Sequence, residues 1–588
     1  MGGTETFSLG RDPSMENVDF ARIFREIGEL MELKEGNPFK IRAYYKAAQN
    51  IESLSENIAT IYKRGGLKEL QEVPGIGERI AGKIEEILKT GKLRLHDKLL
   101  KEFPPHFLDL IRIPGMGPKT AMLLHKKLKI DTIDKLEKAV KSGALNKLPG
   151  MGAKKAENIQ KGIEQFRQRK GRFPMSIALP YAEAIVAALK KLKEVNQIMP
   201  CGSLRRMKET IGDIDILVTS KKPDKVMDIF TKLPEVKEIV AKGKTKSSVV
   251  LKSGIQADVR VVEPGSFGAA AHYFTGSKQH NIRIRELGVK KGLKINEYGI
   301  FKGKKRIGGR KEEDVFASVG LPFIPPELRE GTGEVEAAAK KKLPKLVELK
   351  DIKGDLHMHT KASDGGNTIE ELAEEAKKIG YEYIAITDHT ISSRIAGGLS
   401  EQEAIKQIKK IEKAGSKLKG IKIVKGVEVD ILPNGKLDYK DSILKEFDVV
   451  IAAVHSKFKM ERTEMTKRIM AALENKYVNI LAHPTGRLLG KREPYAVDLD
   501  KVIAHAKKTG TYIELNAYPE RLDLQDIYCR KAKEVGVIIA IVTDAHTTSQ
   551  LYNIRYGIAI ARRGWLEPEN VLNTLPYSKL LKKLHAKR

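Results

Sequence analysis

From Phe20 onward the apolar residues fall at helical spacing (Phe20, Ile23, Phe24, Ile27, Leu30, Met31), and that period dominates up to about residue 170. Between about 175 and 320 short β-branched runs (Ile214–Thr219, Ser248–Leu251, Ala257–Val262) alternate with helical stretches, which predicts a mixed α/β region. Beyond residue 350 the apolar runs Tyr383–Thr387, Ile421–Lys425, Val449–Val454, Val478–Leu481, Tyr512–Leu515 and Val537–Val542 again alternate with helical segments. Repeated strand–helix units predict a parallel sheet or barrel. The stretch 321–350, with Pro322, Pro325, Pro326 and then Lys340-Lys341-Lys342-Leu343-Pro344, reads as a connector. Residues 1–14 are Gly-, Thr- and Ser-rich without periodicity and are expected to be a flexible leader.

Composition sharpens this division. The length of 588 residues, 41% of them hydrophobic, calls for several domains with their own cores and excludes disorder throughout. Two cysteines, Cys201 and Cys529, are too few for a disulfide framework or a thiolate zinc module, which fits a reducing, cytoplasmic setting. No apolar run of about 18 residues is present, so a membrane partner is not expected. The formal charge is +31, of which +23 lies in residues 1–350 and +8 in 351–588. The amino-terminal region is therefore the better polyanion binder, through release of counterions from a phosphate backbone.

One pattern recurs three times in that basic region: Val73-Pro74-Gly75-Ile76-Gly77, Ile113-Pro114-Gly115-Met116-Gly117 and Leu148-Pro149-Gly150-Met151-Gly152, each followed by a helical run. Glycines flanking an apolar residue permit a tight turn between helices, and the exposed amides at the next helix start can hold a phosphate. With Arg79, Lys119 and Lys154 close behind, the three helix-hairpin-helix copies point to DNA backbone binding without sequence preference.

In the α/β region Gly202-Ser203-Leu204-Arg205-Arg206 precedes Gly212-Asp213-Ile214-Asp215-Ile216-Leu217-Val218. Residues i and i+2 of a strand share a face, so Asp213 and Asp215 stand side by side, unfavourably unless a divalent cation neutralises them. Hard oxygen donors suit Mg²⁺ or Mn²⁺, and Asp258 on a second strand-like run supplies a third carboxylate.

Toward the carboxyl end a pair of imidazoles shares a strand face at Asp355-Leu356-His357-Met358-His359. His389, Glu428, His455, His483, Asp544 and His546 each follow directly on an apolar run, with Asp364 nearby. In a parallel barrel such positions gather at one rim. So many histidines there are hard to explain without metal, and imidazole-rich sets suit Zn²⁺, Mn²⁺ or Fe²⁺.

These motifs carry a resemblance. The Gly-Ser and Gly-Asp-Ile-Asp signatures resemble the nucleotidyltransferase superfamily, and with Tyr273-Phe274-Thr275-Gly276 and Ile295-Asn296-Glu297-Tyr298 they are similar to family X DNA polymerases over about 15–325. The histidine pattern resembles the polymerase and histidinol phosphatase (PHP) domain. The resemblance implies a multidomain chain with a helical helix-hairpin-helix N-terminal region, an α/β nucleotidyltransferase palm with a fingers-like subdomain, and a C-terminal distorted (βα)7 PHP barrel. The expected divisions are a DNA-end-binding, lyase-like domain at 15–95, a thumb-like domain at 96–175, a palm at 176–265, a nucleotide-selection subdomain at 266–325, a linker at 326–350 and the phosphoesterase at 351–588.

For the site residues the same resemblance implies two Mg²⁺ or Mn²⁺ ions on Asp213, Asp215 and Asp258. Gly202, Ser203, Arg206 and Gly212 would lie at the incoming triphosphate, Tyr273, Phe274 and Gly276 at the sugar, and Asn281 and Arg285 near the nascent base pair. Lys83 falls where some members carry a Schiff-base lysine acting on abasic sugars, although Phe39 stands where lyase-competent relatives have histidine. In the PHP domain up to three ions are implied: one on His357, His359, Glu428 and Asp544, a second bridged by Glu428 with His455 and His483, a third on Asp364, His389 and His546. Expected overall is a monomeric, cytoplasmic, nucleoid-associated repair enzyme that fills short gaps in gapped or nicked double-stranded DNA with deoxynucleoside triphosphates. It would also trim 3′ ends as a 3′-5′ exonuclease and incise abasic sites. Two other readings stay open: a nucleotidyltransferase fused to a small-molecule phosphatase, and a DNA-end-binding scaffold with residual chemistry.

Overall fold

The computed structural model describes residues 17–34, 36–52, 58–73, 75–103, 107–111, 113, 116–148, 151–168, 172–489 and 492–587. The leader expected at 1–14 lies outside them. The chain divides into two compact units, Met1–Arg172 and Phe173–Arg588.

The first unit is helical, from Asn17–Leu33 through to Ala153–Gln168. Phe20, Phe24, Ile27 and Leu30, three or four residues apart, form one buried stripe of the first helix, as the spacing required. The three repeats fold alike. Ile76, Met116 and Met151 are each buried, and their amides donate to Val73, Ile113 and Leu148 three residues back. The central residue of each motif is thus a core plug that bends the chain into the next helix. Gly77 and Gly117 are the N-caps of helices Glu78–Thr90 and Pro118–Leu128, and Gly152 precedes Ala153–Gln168.

In the second unit a five-stranded sheet comes first: β1 (Val195–Pro200), β2 (Asp213–Ser220), β3 (Val236–Lys242), β4 (Lys246–Leu251) and β5 (Gln256–Val262), in spatial order β1-β2-β5-β4-β3. Only β2 and β5 run parallel, and that pair puts Asp215 opposite Asp258. Ile214, Ile216 and Val218 fill the hydrophobic core, which leaves Asp213 and Asp215 on the other face. Helices Phe267–Thr275 and Lys278–Lys290 and a three-stranded antiparallel sheet, β6 (Leu293–Asn296), β7 (Gly299–Lys302) and β8 (Lys305–Gly308), follow.

The segment 326–350, expected as a linker, carries its own helix, Glu334–Ala339, and is packed into the fold. Ile324, Leu328, Val335 and Ala338 share a core with Phe316. Arg329 is fully buried, its guanidinium over the Phe316 and Phe323 rings and paired with Glu312 at 2.5 Å. Composition flagged the prolines and lysines of this stretch, but the burial of a charge by a partner distant in sequence has no compositional signature.

Seven parallel strands complete the unit in sequential order: β9 (Gly354–Asp355), β10 (Tyr383–Ile386), β11 (Lys422–Asp430), β12 (Val449–Ala453), β13 (Ile480–Leu481), β14 (Tyr512–Asn516) and β15 (Ile539–Val542). The parallel bridge Met358–Ala545 joins the first edge to the last, with the His359 amide donating to Ala545 O. Asp355 strengthens the seam by accepting from the Thr543 amide and hydroxyl. Alternate residues of one strand enter different cores, Ile384 and Ile386 in one and Tyr383 and Ala385 in the other, so the strands read as continuous apolar runs.

Candidate active sites

The first site lies at the β2–β5 pair. Gly202, in the left-handed region at φ +63°, carries the chain past Asp215, and a Cβ there would collide with Asp215 Oδ2. The Cys201 amide donates to Asp215 O at 2.7 Å, locking the Gly-Ser turn against the carboxylate strand. Burial pushes the Asp215 carboxyl up to about 7, with Asp213 and Asp258 adding to the effect and Lys246 and Arg260 opposing it. Three acids that cannot all ionise without help are the chemistry a divalent cation supplies, and the oxygen donors fit Mg²⁺ or Mn²⁺.

A cleft lined by Cys201, Asp215, Lys246, Asp258, Arg260 and Phe274 opens here. The sequence reading missed its two cations. Lys246 pairs with Asp258 Oδ2 at 2.7 Å, and the Arg260 guanidinium lies 4.7 Å from the Phe274 ring centre. Arg260 alternates with buried residues on β5, while Lys246 is the exposed first residue of an otherwise buried β4, so a cation on the strand neighbouring an acid was the available signal.

Of the residues expected around a nucleotide, Arg206 donates from Nε to Glu330 at 2.9 Å and from Nη1 to Thr275 O. Asn281 Nδ2 donates to Tyr273 O at 2.7 Å, and Arg285 Nε to Asn281 O at 3.3 Å, so these three form one chain of contacts. Ser203 sits in the short helix Gly202–Arg205. Gly212 immediately precedes β2, and Gly276, at φ +68°, ends helix Phe267–Thr275.

The second site is built at the carboxyl ends of the barrel strands. Glu428 is its centre: His389 Nδ1 lies 2.8 Å, His357 Nε2 3.5 Å and His359 Nε2 3.6 Å from Oε2, while His483 Nε2 lies 3.1 Å and His455 Nε2 3.4 Å from Oε1. Asp544 is 3.2 Å from His359 Nε2, and Asp364 faces His546 Nε2 at 3.4 Å and His389 Nε2 at 3.6 Å. All nine expected residues therefore converge. His357 Nε2, both nitrogens of His359, His389 Nδ1 and Glu428 Oε2 are buried without a hydrogen-bond partner. Unsatisfied imidazole nitrogens and a carboxylate oxygen aimed at one space fit metal ions, which would pair with them.

Three groups could each hold an ion: His359, Asp364, His389 and His546; His357, His359 and Asp544; and His389, Glu428 and His455. Compared with the expected partition, His359 and His389 each join two groups, and His483 meets Glu428 without falling in any. Two of the site residues also have strained backbone, His483 at φ +23° and Asp544 at φ +52°.

Two carboxylates that the sequence reading passed over fix the rings. His357 Nδ1 donates to Glu514 at 2.8 Å and His455 Nδ1 to Asp430 at 3.0 Å, which leaves each Nε2 turned toward Glu428. Burial disfavours a charge on His357, but Glu514, Glu428 and Asp544 outweigh it and hold its pKa well above the ordinary imidazole range. The signals were an acid inside the apolar run of β14 and a second acid two positions after Glu428.

In the first unit Gly75, at φ +79°, turns so tightly beside Asn50 that a Cβ has no room. Lys83 Nζ donates to Arg79 O at 3.3 Å, and burial lowers its pKa, with Arg79 and Lys40 helping and Glu86 opposing. Gly115, Gly150 and the side chains of Lys119 and Lys154 lie outside the described residues. Among the described residues no helix is long and apolar enough to cross a membrane.

Comparison with known proteins bears on each region. Family models match as follows: helix-hairpin-helix domain at 15–93, SAM-like helix-hairpin-helix tandem at 107–165, DNA polymerase beta palm at 172–264, DNA polymerase beta thumb at 270–330 and PHP domain at 355–518. The thumb match covers the segment expected as the nucleotide-selection subdomain. A protein of Bacillus subtilis (strain 168), DNA polymerase/3'-5' exonuclease PolX, is 39% identical over 565 residues, 95% of this chain and 97% of the relative. A "Probable phosphatase" of Thermoanaerobacter sp. (strain X514) is 34% identical over 233 residues, 37% of this chain and 89% of the relative.

Proposed function

Because the chain belongs to the family X DNA polymerases that carry a PHP domain, we propose that it fills short gaps in damaged DNA by nucleotidyl transfer and trims 3′ termini with its barrel. It is a DNA polymerase with 3′-5′ exonuclease activity, acting on DNA and deoxynucleoside triphosphates with divalent metal ions. The observation that carries the finer reading is the placing of Asp215 opposite Asp258, with Asp213 on the same face, beside the Gly-Ser turn.

Asp213, Asp215 and Asp258 would hold Mg²⁺ or Mn²⁺, which would supply activation of the primer hydroxyl and neutralisation of the phosphate charge. The protein's role is to hold three carboxylates at one point, present Ser203 and Arg206 to the triphosphate, and set Tyr273, Phe274, Asn281 and Arg285 along sugar and base. In the barrel, metal ions (Mn²⁺, Zn²⁺ or Fe²⁺) on the nine convergent residues would supply hydroxide at neutral pH, and Glu514 and Asp430 keep the imidazoles aimed. The helical unit would grip gapped or nicked duplex through its glycine turns. We place the enzyme, as a monomer, in the cytoplasm at the nucleoid. On a primer–template with Mg²⁺ or Mn²⁺, extension with nucleotides and shortening without them are the expected results. Release of phosphate from small phosphomonoesters with no shortening would instead favour a phosphatase, the activity named in the Thermoanaerobacter relative.

The raised Asp215 carboxyl gives a pH dependence. Its proton is retained up to about pH 7 in the metal-free site, against 3.8 for an ordinary aspartate, so ion binding must expel it below that pH and need not above. The Mg²⁺ concentration for half-maximal incorporation is expected to rise about five-fold between pH 7 and pH 6, about ten-fold between pH 8 and pH 6, and to stay level above pH 8. A flat Mg²⁺ requirement over this range would remove Asp215 as the coupled group.

Lys83 supports a further reading, a lyase on 5′ sugar phosphates, because its lowered pKa favours the free amine that condenses with an aldehyde. Borohydride is expected to trap a covalent protein–DNA adduct in the parent chain and none in Lys83→Ala; an adduct of equal yield in both would assign the chemistry to another amine.

A further inference from the structure

The helix Ile554–Arg563 of the barrel ends in two arginines that are both engaged. Arg562 Nε donates to Glu327 at 2.7 Å and Nη1 to Val347 O at 3.1 Å. Arg563, with only 5% of its side chain exposed, donates from Nε to Asp526 at 2.8 Å, and from Nη1 to Glu330 Oε1 at 2.9 Å and to the Arg206 carbonyl at 2.8 Å. Glu330 Oε1 is the same oxygen that accepts from Arg206 Nε, also at 2.9 Å.

One carboxylate oxygen thus joins an arginine of the barrel to an arginine of the Gly-Ser turn 357 residues away in sequence. With Nε on Glu330 and Nη1 on the Thr275 carbonyl, the Arg206 guanidinium is fixed in plane, and among the described residues its Nη2 makes no protein hydrogen bond. A donor fixed in advance loses less freedom when a phosphate oxygen arrives. Remove Arg563, and Glu330 keeps its charge with Arg206 as its remaining close partner, Lys208 being 3.9 Å off. The carboxylate would then compete with the triphosphate for that arginine.

We propose that Arg563 is a positioning residue for the polymerase: acting through Glu330, it sets Arg206, so that nucleotide affinity depends on the docked phosphoesterase barrel. This rests on the reading of Arg206 as a triphosphate ligand.

The test is single-nucleotide incorporation on gapped DNA by the full chain, with 3′ trimming measured on the same preparations. Arg563→Gln is expected to raise KM for the nucleotide about ten-fold, to leave kcat within about two-fold, and to leave trimming unchanged. Arg563→Lys keeps the charge between Asp526 and Glu330, and so folds even if the glutamine variant does not; it is expected to give a smaller rise, about three-fold. Arg206→Gln should raise KM at least as much as Arg563→Gln, and the double variant should be no worse than Arg206→Gln alone, because both act through one guanidinium.

An unchanged KM in both Arg563 variants overturns the proposal, as does a double variant whose effects multiply in full, or a fall in trimming that parallels the fall in incorporation. If Arg206→Gln itself leaves KM unmoved, the triphosphate reading of Arg206 is what fails, and the proposal falls with it. A shift in the Arg206 variant without one in the Arg563 variants sinks the coupling alone.

Discussion

Asp258→Ala is expected to lower nucleotide incorporation on gapped DNA about 1,000-fold while DNA binding and 3′ trimming persist. The carboxylate stands opposite Asp215 across a parallel strand pair and is held by Lys246 at 2.7 Å and by Gln256 at 2.9 Å. Deleting it removes one oxygen donor from a site whose metal ions contribute several kcal/mol to the transition state, and about 1.4 kcal/mol corresponds to each ten-fold loss. It also releases a lysine into the space where cations should bind. Asp228→Ala provides the comparison, since Asp228 pairs with Lys242 on the exposed surface of the same unit and its loss should leave incorporation within about two-fold. Survival of incorporation in Asp258→Ala would support the scaffold reading, in which the acids carry no chemistry.

The double replacement His357→Ala with His359→Ala should abolish metal-dependent shortening of DNA, a loss of about 1,000-fold or more, with polymerisation continuing. Both rings are fully buried, both approach Glu428 and Asp544, and their Nε2 atoms make no protein hydrogen bond. Bound metal measured by mass spectrometry should fall in parallel, a readout independent of the reaction. His505→Ala, which only unpairs Glu474 from helix Leu499–Thr509, should leave both activities in place. Shortening that persists in the double variant would move the nuclease out of the barrel.

Most of the candidate metal-binding residues were legible because they follow directly on an apolar run, and a parallel barrel delivers every strand end to one rim. His357 and His546 are 189 positions apart in sequence yet flank His359, the second through ring stacking at 4.4 Å. Asp213 and Asp215 were legible from the two-residue repeat alone. The pairing of Asp215 with Asp258 was not, because strand order cannot be read from the runs. The orienting acids Glu514 and Asp430 escaped for a different reason: a buried acid inside a strand is ambiguous until the ring it faces is known. The network around Glu330 was least accessible of all, because its partners Arg206, Lys208 and Arg563 come from segments with no local pattern in common.

The seam between β9 and β15 sets an order of events during synthesis. Asp355 and His357 are translated near the start of the barrel, but Thr543 and Ala545, which close it, and Asp544 and His546, which complete its candidate ligand set, emerge almost two hundred residues later. Domains fold from the amino end as the chain grows. A nascent molecule on the ribosome therefore holds no finished cutting centre while its helical unit can already grasp nucleic acid, and the destructive half of the enzyme is armed only once Asp544 and His546 have been made.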